Sequence, residues 1–227
     1  MIKNTLYVFA ARASNVVFLF LLTMVVSRQL GPNLFGVFSF LTAVVVSASC
    51  FSNLGIDTWM VREVTKTPSE GKQYLSNIIG LKIGTSLVTI ALIFLIFRTT
   101  DLPQTTLSLL WVLSISLLFN TISQSLWHYG NCFKEFFYHS VLWAASNIIK
   151  AGLGIALVLL FHELEHLIWG IVAAEAVALI LSFCVIRKRF GAVVPGFQLR
   201  VWKNFIVRSA PMALGMIFSV LYFRLDI

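Results

Sequence analysis

Long apolar runs divided by short polar breaks govern this chain from start to end. A helix needs about 20 apolar residues to cross about 30 Å of hydrocarbon. Runs of that length occupy residues 6–26, 37–56, 76–97, 107–127, 140–161 and 167–186, and a seventh begins near Phe205. The breaks carry turn chemistry. Gly31-Pro32 marks the first, because proline cannot continue a helix and glycine accepts dihedrals that other residues avoid. The second break, residues 57–75, holds Pro68 and reads as a loop that is partly helical and amphipathic. A short polar turn at 98–104 follows, then an aromatic-rich segment at 128–139 suited to the headgroup level. The pattern predicts an all-α integral membrane protein, a polytopic bundle of about seven transmembrane helices.

Composition removes the soluble alternatives. Of 227 residues 59% are hydrophobic and only 11% charged, with mean hydropathy +0.90, so no soluble domain fits beside the spans. The first run contains Arg12, is too long for a signal-peptide core and lacks a small-residue cleavage pattern, which makes it an uncleaved span. A formal charge of +8 raises the question of nucleic acid. The cations sit in short connections or singly inside apolar runs, not on a contiguous patch, so no nucleic-acid partner is expected.

The charges do orient the chain. Residues 187–203, RKRFGAVVPGFQLRVWK, hold Arg187, Lys188, Arg189, Arg200 and Lys203 and no acid. With the N-terminus in the cytoplasm, these five join Lys3, Arg62, Lys66, Lys72 and Lys134 on the inner side, leaving Arg28 and Arg98 outside. That asymmetry fits the retention of Lys and Arg on the cytoplasmic side. The same segment divides the chain into residues 1–186, a lobe of six helices, a basic cytoplasmic connection at 187–204, and residues 205–227, the first helix of a second lobe. The last run stops without a polar flank, so truncation is expected. A faint echo of Arg12-Ala-Ser14 in Arg208-Ser-Ala210 fits repeated halves.

Two sets of residues could carry chemistry. His162-Glu163-Leu164-Glu165-His166 satisfies HExxH, which on a continuous helix would present two imidazoles to zinc and a glutamate to its bound water. A helix running unbroken from Ser140 to Ile186 would be about 70 Å long, more than twice the hydrocarbon thickness. The motif is therefore expected to be a polar turn, and no metal or other cofactor is assigned.

The second set comprises charges inside the spans, each costing about 2.5 to 3.5 kcal/mol at the bilayer centre. Arg12, Lys82, Lys150, Glu175 and Arg224 are such residues, with Asp226 near the end of the seventh run. Lys150 and Glu175 lie at depths differing by roughly 3 Å, so they can pair. Arg12 and Lys82 lie near span ends and can snorkel. Arg12, Lys150, Glu175, Arg224 and Asp226 are the candidates for lining a polar cavity. Three other features have plain readings. Cys50, Cys132 and Cys184 lack CxxC spacing and serve as small apolar side chains. Trp111, Trp127, Trp143 and Trp169 sit near span ends as interface anchors. Gly80 and Gly84 form a GxxxG that lets another helix approach.

Leu30-Gly-Pro-Asn-Leu-Phe-Gly36, Asn53-Leu-Gly-Ile-Asp57 with Val61-Arg62, and Ser209-Ala-Pro211 with Arg224-Leu-Asp226 together resemble the polysaccharide flippases. These are O-antigen translocases of the multidrug, oligosaccharidyl-lipid and polysaccharide exporter superfamily. The resemblance implies two lobes, of which this chain is the first plus one helix. It implies that an undecaprenyl-pyrophosphate-linked oligosaccharide is moved across a bacterial inner membrane, and that the protein is not an enzyme. Its partners would be that lipid, the surrounding membrane lipids, the missing C-terminal lobe, and the polymerase and glycosyltransferases of the same pathway. No GK[ST] nucleotide loop is present, so an ion gradient or the membrane potential would drive an active step. The rival readings are a multidrug or ion-coupled exporter of the same superfamily and an intramembrane zinc protease built on His162, Glu163 and His166.

Overall fold

The structure, a computed structural model, describes residues 2–224, which form helices and short connections. The first helix, α1 (Ile2–Asn53), departs from helical dihedrals at one residue, Gly31, with φ 75° and ψ 174°. That combination suits glycine alone, and Pro32 then opens the second limb where its missing N–H costs nothing. The expected ten-residue connection is thus a single-residue hinge.

The limbs fold back on each other. Tyr7 meets Phe137 and Phe40 meets Phe97 through their rings, while the Thr85 hydroxyl donates to the Ser52 carbonyl at 2.9 Å. The first limb therefore runs parallel to α5 (Phe136–Phe161) and the second antiparallel to α3 (Gly71–Arg98). Between them come α2 (Ile56–Lys66) and a 3₁₀ turn at Pro68–Glu70. The bundle is completed by α4 (Gln104–Cys132), α6 (Leu164–Phe190) and α7 (Leu199–Arg224).

Five helical segments are long and apolar enough to cross a membrane, and the first of them doubles back at Gly31 to give two limbs. Large apolar side chains face outward along the bundle, among them Phe20, Leu95, Leu160 and Ile180 at 59% exposure or more. In a soluble protein so many would be a liability; here they form a lipid-facing surface. One end collects the Gly31 hinge, the turn before Gln104 and the turn at His162. The opposite end, called the basic face below, carries α2, the turn before Phe136 and residues 191–198. Arg189 reaches Glu135 across it at 2.6 Å, an exposed pair that contributes little stability.

Residues 191–198, in the middle of the basic connection, are extended and strapped onto α3. Gly196 N–H donates to the Ser76 carbonyl at 2.8 Å, and the Ser76 hydroxyl donates to the Val194 carbonyl. The Gly80/Gly84 spacing is used here, not by a second helix in a GxxxG contact but by the strap and Trp202. A β-carbon at Gly80 would lie 2.0 Å from the Gly196 carbonyl oxygen, whereas one at Gly84 would sit 3.7 Å from Trp202. Gly80→Ala should therefore destabilise by about 1 to 3 kcal/mol because backbone blocks the new methyl, while Gly84→Ala should be near neutral. Thermal unfolding of the two variants in detergent distinguishes them, and equal melting would mean the strap is not seated on α3.

Candidate functional site

Two apolar clusters fill the interior, and a polar layer separates them. One centres on Leu22, Leu41, Leu113 and Leu167, the other on Met60, Ile78, Leu126 and Phe205. On α4 the boundary is visible in the sequence order: Leu117 belongs to the first cluster and Leu126 to the second, with Asn120, Thr121, Gln124 and Ser125 between.

The layer is continuous through six helices. Lys150 on α5 is ion-paired with Glu175 on α6. Asn120 Nδ2 donates to both Glu175 oxygens, at 3.1 and 3.2 Å, and Gln124 Nε2 donates to Asn120 Oδ1 at 2.7 Å. Asn53 Nδ2 donates in turn to Gln124 Oε1 at 3.4 Å. Lys82 then closes the far end: its ammonium donates to Asn53 Oδ1 at 2.7 Å, Asp57 Oδ2 at 2.6 Å and the Thr121 carbonyl at 3.2 Å. Ser125 Oγ donates to Asp57 Oδ1 at 2.6 Å. All three Lys82 donors are used, which is what makes a fully buried ammonium tolerable.

This arrangement revises the snorkelling expectation for Lys82. Its side chain is 0% exposed and that of Asp57 7%. Lys82 turns inward because the inward face of α3 meets Asp57, brought over it by α2. Trp127 also departs from the anchor reading, being 4% exposed with its indole N–H donating to Ser182 Oγ at 2.7 Å. Trp169 remains exposed. Cys132 is buried, Cys50 half-buried and Cys184 exposed, all as free thiols.

Lys150 differs from Lys82 in facing an opening. Its side chain is 29% exposed against 3% for Glu175. It lines a cleft of about 60 Å³ between α1 and α5, shared with Asn15, Leu22, Asn147 and Ala151. Asn147 Nδ2 is buried there without a partner. Arg12 is exposed one helical turn from Asn15 and, among the described residues, joins no ion pair. The structure thus pairs Lys150 with Glu175 and leaves Arg12 outside the network. Arg224 ends α7, but its side chain lies outside the described residues, as does Asp226.

Asn15, Asn53, Asp57, Asn120, Gln124 and Asn147 were not singled out as site residues. For the five other than Asp57 the signal is amides within apolar runs, with Asn120 and Gln124 at the i, i+4 spacing of one helix face. HELEH forms a turn as expected: α5 ends at Phe161, His162 is left-handed at φ 55°, and α6 begins at Leu164. The continuous helix a zinc site would require is broken within the motif, and His166 Nδ1 lies 3.0 Å from Glu163.

A buried, electrically balanced polar layer thus crosses the apolar bundle, and comparison with known proteins places the chain in a family. The family model described as polysaccharide biosynthesis protein matches residues 1–227. The chain belongs to that family. Comparison with curated protein sequences gave no match. Among solved structures, a transporter of the MOP superfamily from Pyrococcus furiosus, described as having a binding pocket of reverse polarity, superposes with TM-score 0.58 at 14% identity, covering 97% of this chain and 52% of that one. A multidrug resistance MATE transporter of the same superfamily, in an outward-facing conformation, superposes with TM-score 0.55 at 16% identity over 98% and 53%. This polysaccharide biosynthesis family member therefore has the fold of MOP transporters and spans about half the length of those it matches.

Proposed function

We propose that this chain supplies one lobe of a flippase that moves undecaprenyl-pyrophosphate-linked oligosaccharide units across a bacterial inner membrane, with the basic face in the cytoplasm. The observation that carries this reading is the charge state of the cleft between α1 and α5. Both buried acids, Glu175 and Asp57, are already engaged by lysines, while the part-exposed Lys150 lines the opening and Arg12 lies exposed one helical turn from Asn15 in its wall. A pyrophosphate cannot cross hydrocarbon without compensating charge or hydrogen bonds. Arg12 and Lys150 would meet the phosphates, Asn15 and Asn147 would add neutral hydrogen bonds, and a second lobe would complete the lane. Alternating access would rock the lobes about this site. Arg224 and Asp226 remain candidates for the opposing wall.

The test is accumulation of lipid-linked oligosaccharide in cells deleted for the full-length gene. Restoring the gene is expected to clear the intermediate from the inner leaflet. Persistent accumulation despite correct membrane insertion would sink the assignment. The MATE neighbour gives the multidrug reading a specific footing, and a cation exporter needs an unpaired acid to hold its cargo. Resistance to cationic drugs conferred by the gene, without relief of the lipid intermediate, would select that reading instead.

A further inference from the structure

Residues 191–198 do more than tie α6 to α7. The strap meets α3 at Ser76 and Gly80, where the apolar run of that helix begins, so it lies at the edge of the hydrocarbon. Extended backbone is excluded from the acyl region itself unless protein covers it. Yet the strap carries apolar side chains into the open: Val194, Phe197 and the adjoining Leu199 are each 64% exposed or more. Cations stand beside them. Lys72 lies four residues before Ser76 on α3, about 6 Å nearer the water. Its ammonium sits over the start of the strap, 2.8 Å from where a β-carbon on Gly191 would be. Arg187 borders Gly191 and Val193 in a narrow crevice, and Lys188 follows it in the last turn of α6. All three basic residues are exposed and, among the described residues, none joins an ion pair. Residues 187–203 hold no acid to neutralise them.

These two levels match a lipid leaflet. The headgroup layer is about 5 to 8 Å thick, so cations one turn above the hydrocarbon edge stand among phosphates while the strap's side chains meet the first acyl carbons. Apolar groups below and Lys or Arg above is the arrangement by which protein segments seat at an anionic bilayer surface. We propose that the strap and the cations at its start form a docking surface for an anionic phospholipid of the leaflet on the basic face. A zwitterionic headgroup would bring its own cation against Lys72 and Arg187, so the surface selects net negative charge. It shares no residue with the cleft that holds Lys150, and it does not depend on the identity of the cargo.

The test is native mass spectrometry of the full-length protein in detergent, with phosphatidylglycerol and phosphatidylcholine added at equal concentration. The ratio of phosphatidylglycerol-bound to phosphatidylcholine-bound protein should be at least about fivefold, the worth of one basic residue near an anionic surface. That ratio should fall threefold or more in the triple variant Lys72→Gln, Arg187→Gln, Lys188→Gln. Lys72 also faces the carbonyl end of α6, so the double variant Arg187→Gln, Lys188→Gln keeps the test valid if the triple one unfolds, and the melting temperature of each is recorded. The control is Arg28→Gln with Arg98→Gln, which removes two exposed cations from the opposite end and should leave the ratio unchanged. Equal binding of the two lipids, or the same fall in the control, would overturn the docking surface. A ratio unmoved in the strap variants would overturn it too, and would mean that a second lobe rather than lipid covers the strap.

Discussion

Lys82→Met should cost the folded protein about 3 to 5 kcal/mol, the range found when one partner of a buried ion pair is removed and the other is stranded. Methionine preserves the length of the side chain but none of its three hydrogen bonds. Asp57 would keep only the Ser125 hydroxyl, Asn53 Oδ1 would lose its donor, and the Thr121 carbonyl would be left with its bonds inside α4. For a chain of this size the melting temperature should drop by about 6 to 20 °C. The double variant Lys82→Met with Asp57→Asn removes the stranded charge and should recover most of the loss, because a neutral pair at the same site carries a far smaller desolvation cost. Thermal unfolding of the protein extracted in detergent reads both values. If the single variant melts with the parent, the pair is hydrated and α2 is not seated over α3.

This pair also marks where sequence reasoning stops. The helices were legible because apolar runs of membrane-spanning length are interrupted at Gly31-Pro32, Pro68, Pro103, residues 128–139, HELEH and residues 187–203, and each interruption holds a turn or break in the fold. The contact of Lys150 with Glu175 was legible for a similar reason: two opposite charges lie at matching depth in consecutive spans joined by a tight turn. Asp57 offered no comparable cue. It stands beside Arg62 and Lys66 in a stretch with the polarity of a surface loop, and its burial follows from α2 folding back over α3. Lys82 could reach the interface by length alone, but reach does not decide direction; the partner on the inward face does.

The strap at Gly80 shows the same limit from the side of packing. A small residue announces that something can come close without saying what, and here the answer, Gly196, is supplied by a segment 116 positions away in sequence. That contact depends on where α6 and α7 lie against α3, which no local pattern specifies. The polar layer belongs to this class as well. Each of its amides is unremarkable in its own helix, and only the bundle lines up Asn120, Gln124 and Asn53 between the two lysines.

On the proposed flippase reading, Lys150 should speed transport substantially while contributing little to stability that a neutral network could not replace. Lys150→Gln alone would confuse the two roles, because it leaves the Glu175 carboxylate buried with only Asn120 to satisfy it. The informative variant is Lys150→Gln with Glu175→Gln, which keeps a hydrogen-bonding side chain at both positions and removes both charges. Its melting temperature should stay close to the parent's. Its rate of lipid-linked oligosaccharide translocation should fall roughly 10- to 150-fold, the equivalent of one charge-assisted hydrogen bond of about 1.5 to 3 kcal/mol lost from the passage of the phosphate. Lys150→Arg should retain most activity, since a guanidinium binds phosphate at least as well as an ammonium does. Arg12→Gln, on an exposed position, should leave stability within about 0.5 kcal/mol and still slow translocation. Parental rates in the double glutamine variant would mean that the ion pair serves only to hold α5 against α6, and that the cargo's charge is met elsewhere.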